Sequence, residues 1–261
     1  MNSQIKNPFG ILNSYQPAPV MARPLGVRGH QKSSTPTPSV TMGRGLFVET
    51  PLERSALLAL DVDPRTTHIA PQPFTVRLDI PAVFSDRSAA MRAAPPLKDA
   101  YETAGGLELI YTPDFEVMDG GQVPLVVEVK QSNELKALEG VLKRRGVILG
   151  TLGYRFLVVS DEEVGYKGLD RNLVFVRDAI RFLRHQEAQS HLEAIGRAIA
   201  GFDAPFPLRA IRAAVSDTAI HLGLATGVIA FDLRTGALST DTIVKPAHGD
   251  LQHRQLLKLG V

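Results

Sequence analysis

From Leu46 onward, apolar residues recur at two different periods, about 3.6 and 2, and the segments follow one another in the order α, β, β, β, α, β, β, α. Helices interleaved with strands in this way build a mixed α/β sheet flanked by helices, and this order constrains the fold more than any other feature of the chain. Thr50-Pro51-Leu52-Glu53 reads as a helix start. Thr50 suits the N-cap, Pro51 the first helical position, and Glu53 closes a capping box, with Leu52, Ala56, Leu57 and Leu60 on the buried face. Residues Ile69 to Ile80 have strand character, interrupted early by Pro71 and Pro73. An Ala/Pro-rich excursion over 81–105 follows, and a connection of that length is more often functional than idle.

Two further strands are expected at Leu107 to Tyr111 and Leu125 to Lys130, as a hairpin closed through Met118-Asp119-Gly120-Gly121. Asn133 is placed to cap an amphipathic helix with Leu135, Leu138, Val141 and Leu142 inward, and Arg155 to Ser160 and Leu173 to Val176 read as buried strands. From about Arg177 the pattern turns helical, and two strands, Gly227 to Asp232 and Ala237 to Val244, close the chain. Three helices and a hairpin match a winged helix-turn-helix. The expected organisation is an extended basic arm over 1–45, a catalytic domain over 46–184 and a winged-helix-like DNA- or protein-interaction domain over 185–261.

Composition narrows the chemistry. The chain of 261 residues has no cysteine, which removes disulfide frameworks, thiolate zinc sites and cysteine nucleophiles together and fits a reducing cytoplasm. Its seven histidines show no zinc-ligand spacing. No apolar run approaches the length of a membrane span, and no signal-peptide core stands at the N-terminus, so the expected location is the cytoplasm. Residues 1–45 hold six prolines and five bases (Lys6, Arg23, Arg28, Lys32, Arg44) without an acid, leaving 24 bases against 27 acids in the remainder. A basic, acid-free arm can neutralise phosphates; a solvated tail has the same composition. No phosphate-binding glycine loop appears, so nucleotide hydrolysis would come from a partner protein.

One constellation can carry chemistry. In a strand, residues two apart share a face, so Glu128 and Lys130 project together while Val127 and Val129 face a core. Asp114 follows Pro113 just after the neighbouring strand, where the proline stops ladder pairing and lets a side chain be re-aimed. Two carboxylates brought close repel each other unless a hard divalent cation such as Mg²⁺ or Mn²⁺ sits between them. Such a cation activates water and offsets charge on phosphorus, while Lys130 orients the water or steadies the same charge, a set suited to phosphodiester hydrolysis. The same few residues are also compatible with an ordinary cross-strand ion pair.

Pro113-Asp114 followed by Glu128-Val129-Lys130 resembles the PD-(D/E)xK core of restriction-endonuclease-like nucleases. Together with Leu52-Glu53-Arg54-Ser55, Leu57-Leu58-Ala59-Leu60-Asp61, Gln72-Pro73, Tyr111-Thr112-Pro113-Asp114-Phe115 and Gly153-Tyr154-Arg155-Phe156, it is similar to the TnsA family, from about Leu46 to Leu183. The resemblance implies a Mg²⁺-dependent endonuclease subunit of a heteromeric transposase, cutting the 5′ ends of a transposon in cut-and-paste transposition. Glu53, Asp114 and Lys130 match the catalytic positions and Glu128 the variable one, with Asp114, Glu128 and Glu53 as metal ligands. The implied partners are double-stranded DNA at transposon ends, a TnsB-like DDE transposase subunit and a TnsC-like AAA+ ATPase regulator. Glu53 is equally explained by the capping box. Two other readings remain open: a stand-alone restriction or defence nuclease, and a non-catalytic DNA-binding scaffold.

Overall fold

A buried acid, Asp61, holds the first hairpin of the described residues. In the computed structural model, which describes residues 35–93, 96, 108–121 and 123–259, β1 (Thr35–Pro38) pairs antiparallel with β2 (Gly45–Val48). The turn between them is held by Asp61, which accepts hydrogen bonds from Ser39 Oγ at 2.5 Å, Val40 N at 2.9 Å and Thr41 N at 3.0 Å. The expected arm over 1–45 is therefore corrected for residues 35–45. Those residues form a hairpin because an acid distant in sequence satisfies their N–H groups, a partnership that local pattern does not reveal. Residues 1–34 lie outside the described residues.

Helix α1 (Pro51–Val62) starts as its sequence dictates: Thr50 Oγ1 accepts from Glu53 N at 3.1 Å, and Glu53 Oε2 accepts from Glu49 N at 2.8 Å. The chain continues through β3 (His68–Pro71), β4 (Thr75–Arg77), β5 (Ala82–Phe84), α2 (Arg87–Arg92), β6 (Ile110–Tyr111), β7 (Phe115–Met118), β8 (Leu125–Lys130), α3 (Ser132–Thr151) and β9 (Arg155–Ser160). A four-stranded sheet has the order β3-β7-β8-β9, antiparallel except for the parallel pair β8–β9, and a three-stranded sheet has the order β5-β4-β6. The single strand expected over Ile69 to Ile80 is thus two strands in two sheets, parted at Gln72, whose φ is +43°. The partner of β8 in the hairpin is β7. The strand expected at Leu107 to Tyr111 is β6, which pairs with β4 instead. Much of the 81–105 excursion lies outside the described residues, but β5 and α2 belong to it.

The N-cap of α3 is Gln131 rather than Asn133, and Asp161 at the end of β9 accepts from Ser132 N at 2.6 Å. Strand β8 is buried on both faces. Leu125, Val127 and Val129 join a large cluster with α1, whereas Val126 joins Phe74, Val76, Tyr111 and Leu149 in a second cluster under α3.

After β9 come α4 (Asp161–Val164), α5 (Leu169–Phe182), α6 (Ala188–Ile199), β10 (Phe206–Pro207), a 3₁₀ turn (Leu208–Ala210), α7 (Asp217–Thr226), β11 (Ile229–Ala230), β12 (Ile243–Pro246) and a 3₁₀ turn (Gln252–Arg254). The strand expected at Leu173 to Val176 is the middle of α5. Leu169, Leu173, Val176 and Ala179 are all buried, which is one helical stripe read locally as a short apolar run. In the C-terminal part, the helical pattern expected from Arg177 is interrupted by a 3₁₀ turn at Leu208–Ala210, and the last strand is Ile243–Pro246 rather than Ala237 to Val244. Strands β10, β12 and β11 form a small antiparallel sheet.

The apolar core runs through the expected boundary at residue 184, since Leu173, Ile195, Ile220 and Leu256 share one cluster. Asn172 on α5 adds a polar tie, donating to Leu233 O at 2.9 Å and Gly236 O at 2.7 Å while accepting from Leu238 N. Arg254 does the same from the other side, donating to Val62 O at 2.8 Å and Ala225 O at 2.6 Å. The described residues form a mixed α/β fold with four sheets and seven α-helices. Among them, no helix is long and apolar enough to cross a membrane.

Candidate active site

Strand register brings the acids together. Phe115 pairs with Val127, Glu116 with Val126 and Val117 with Leu125. Carried back along β7, that register sets Asp114 opposite Glu128 and Pro113 opposite Val129. Proline has no N–H to extend the ladder, and the chain leaves for the other sheet. The Asp114 carboxylate takes the vacated rung, with Oδ2 accepting from Val129 N at 2.7 Å, and its own carbonyl accepts from Gln72 N at 3.0 Å. Backbone and side chain of Asp114 are thereby both fixed.

Glu128 points into the second core, beneath α3, and is only 3% exposed. A buried carboxylate needs donors, and it has three: Tyr111 Oη to Oε2 at 2.7 Å, and Lys130 Nζ at 2.6 Å and Arg145 Nη1 at 2.7 Å, both to Oε1. Arg145, from α3, spends its other N–H groups on Glu108, with Nε to Oε2 at 2.9 Å and Nη2 to Oε1 at 2.8 Å, and its guanidinium lies 4.2 Å from the centre of the Tyr111 ring. Glu128 is therefore the hub of a satisfied network.

Three oxygens surround the Lys130 ammonium: Glu128 Oε1 at 2.6 Å, Val129 O at 3.0 Å and Asp114 Oδ2 at 3.7 Å. Asp114, Glu128 and Lys130 are thus brought together. Glu53 stands apart, with Oε1 accepting from Thr50 Oγ1 at 3.0 Å and Oε2 from Glu49 N. Among the described residues, no three acidic or imidazole side chains are grouped so as to hold a metal ion. The third oxygen beside Asp114 and Glu128 is the Val129 carbonyl. Glu53 nonetheless acts on Asp114 through space, as the following shift records.

Burial pushes the Asp114 carboxyl up to about 7, the neighbouring Glu128 charge adds to this, and Glu53 contributes a smaller push; Lys130 and the Val129 N–H oppose it. Burial pulls the Lys130 ammonium down, but Asp114 and Glu128 outweigh it and leave it above the usual lysine value. Burial, then Glu128, holds the Tyr111 phenol well above its ordinary range, so it donates as a neutral hydroxyl. Two hard carboxylates and a carbonyl about one cationic centre, with one acid reluctant to ionise unaided, suit a hard divalent cation such as Mg²⁺ or Mn²⁺.

A pH dependence follows. An acid protonated below about pH 7 must lose its proton to any cation that binds it. Divalent-cation affinity is expected to fall by roughly tenfold per pH unit below 7 and to level off above it. Calorimetry at pH 6 and pH 8 in buffers of different ionisation enthalpy measures this as about one proton released at pH 6 and almost none at pH 8. Equal affinity and equal proton release at both values would contradict the assignment.

Sequence reasoning missed Arg145, Glu108 and the Val129 carbonyl. Arg145 stands on the helix after the lysine, and no spacing rule ties it to Glu128. Tyr111 stood inside the Tyr111-Thr112-Pro113-Asp114 motif without a role. A cavity of about 570 Å³ in the C-terminal part, lined in part by Phe231, Val244, Lys245 and His253, shares no residue with this cluster. No protein-family model matches the chain, and no curated protein matches it either.

Proposed function

We propose that the protein is a Mg²⁺- or Mn²⁺-dependent DNA endonuclease of the restriction-endonuclease-like, PD-(D/E)xK kind, and that it serves as the TnsA-type subunit of a heteromeric transposase. One observation carries the reading: Asp114 Oδ2, Glu128 Oε1 and Val129 O gather around a single cationic centre, the Lys130 ammonium. The element order agrees with it. A helix, the antiparallel strands β3, β7 and β8, a crossover helix and a strand parallel to β8 make up the element order around the cluster, which lies at the end of the two central strands. The divalent cation supplies Lewis-acid activation of water and neutralises charge on the phosphate.

The chain's own residues do the rest. Asp114 and Glu128 would hold the cation. Tyr111 and Arg145 hold Glu128 so that its free orbital is aimed rather than mobile. The Lys130 ammonium, beside both acids, would orient the attacking water or steady charge on a phosphate oxygen. The Glu53 role is weaker here, since both its oxygens serve the helix cap.

The C-terminal helices and small sheet are read as a winged-helix-like module for DNA or partner contact, and double-stranded transposon-end DNA, a DDE transposase subunit and an AAA+ regulator are the proposed partners. The test is a nicking assay on transposon-end duplexes with Mg²⁺, with and without the transposase, comparing wild type with Lys130→Ala. Nicking that depends on the cation and the transposase, and is lost in Lys130→Ala, is the expected result. Nicking by the protein alone would favour a self-sufficient nuclease. Undiminished nicking by Lys130→Ala would defeat the site.

A further inference from the structure

Gln72 carries two costly features at once. Its φ of +43° puts a residue with a β-carbon in left-handed backbone. Its amide oxygen Oε1 is also buried without a hydrogen-bond partner, in a residue only 7% exposed. Backbone strain and an unsatisfied buried acceptor each disfavour the fold, and they persist where the surroundings impose them, most often at working sites.

Of the other polar groups of Gln72, the N–H reaches the backbone of a candidate-site residue and Nε2 reaches the segment that leads into α1. Its N–H donates to the Asp114 carbonyl at 3.0 Å, and Nε2 donates to Glu49 Oε1 at 3.2 Å. Glu49 in turn donates its N–H to Glu53 Oε2 at 2.8 Å. Gln72 therefore links the Asp114 turn to the cap that holds Glu53. The N–H bond continues the β3–β7 ladder one pair beyond Pro71 and Phe115, and the left-handed backbone at Gln72 then ends β3 and turns the chain toward β4 of the other sheet.

The identity of the lone atom matters. A carboxylate accepts only, so Glu49 fixes Nε2 toward itself and leaves Oε1 as the acceptor without a donor. A phosphodiester offers only acceptors and cannot satisfy it. Water can, and water polarised by a divalent cation is the stronger donor.

We propose that Gln72 is a positioning residue of the candidate site: Oε1 accepts a hydrogen bond from a water molecule hydrating the divalent cation, while Nε2 keeps the Glu49–Glu53 cap in line with Asp114. This rests on the metal-dependent reading above and adds a residue to it. The experiment measures Mn²⁺ affinity by calorimetry at pH 8, together with the thermal midpoint, on the full chain as wild type, Gln72→Gly and Gln72→Glu. Glycine tolerates the left-handed backbone, so Gln72→Gly is expected to melt at or above the wild-type temperature yet bind Mn²⁺ about tenfold more weakly. Gln72→Glu keeps an acceptor oxygen but faces Glu49, so it is expected to melt lower and to bind Mn²⁺ at least as tightly as wild type. Wild-type affinity in Gln72→Gly, or affinity in Gln72→Glu as weak as in Gln72→Gly, overturns the assignment of Gln72 alone. A wild-type protein that binds no Mn²⁺ overturns the metal-dependent reading itself.

Discussion

Replacing Asp114 by asparagine is expected to abolish divalent-cation binding and to raise the thermal midpoint of the protein at pH 8. The two effects have one cause. Burial and the Glu128 charge hold the Asp114 carboxyl at about 7, far above an exposed aspartate. The folded chain therefore binds a proton between about pH 4 and pH 7 that the unfolded chain releases. Its stability from this group is complete below the unfolded value and is lost as pH rises through the folded one. At pH 8 the ionised acid is a net cost, on the order of 2–4 kcal/mol before allowance for its partial solvent contact.

Asparagine keeps an oxygen that can accept from Val129 N but carries no charge. A gain of about 2 kcal/mol, or roughly 5 °C, is expected at pH 8 and almost none at pH 4. Under the proposed function, nicking should fall on the order of a thousandfold, since Asp114 is the proposed principal ligand of the cation. Thermal melts of both proteins across pH 4–8 measure the first effect. A variant less stable than wild type at pH 8 would show that Asp114 is a supporting residue rather than a strained one.

Arg145→Ala is expected to be among the most destabilising single changes in the chain. The guanidinium joins two carboxylates, one of them on a side chain only 4% exposed, and it is itself largely covered. Removing it takes one of the two cations from the buried Glu128 carboxylate and the bidentate partner from Glu108, a loss of about 3 kcal/mol. Arg145→Lys keeps the charge but loses the forked geometry, and is expected to recover only part of this. Glu108→Gln in the Arg145→Ala background should cost less than it does alone, since the partner is already gone. Urea unfolding of the three variants and the double variant measures this. A loss under about 1 kcal/mol for Arg145→Ala would mean that Glu128 is sustained by Lys130 and Tyr111 without it.

The parts legible in the sequence are those set by local rules. The period of two fixes Glu128 and Lys130 on one face, the proline marks a break in ladder pairing before Asp114, and the capping box fixes the start of α1. The unreadable parts depend on distant partners. Asp61 orders residues 35–45 from the far end of α1, and nothing in Ser39-Val40-Thr41 announces it. Leu173 to Val176 is as apolar as a strand, and its helical state is decided by the burial of Leu169 and Ala179 on the same stripe. Pro113 correctly marked a break, but a break does not say which of two sheets each flank joins. β6 and β7 went to different ones. Arg145 reaches Glu128 only through the path of α3 across the sheet, which no spacing encodes.

The most direct measurement is an anomalous difference map from crystals grown or soaked with Mn²⁺. One peak is expected, bounded by Asp114, Glu128 and the Val129 carbonyl, with the Lys130 ammonium moved out from between the two acids. A fully occupied Lys130 ion pair in the same place, with no Mn²⁺ beside Asp114, would contradict it.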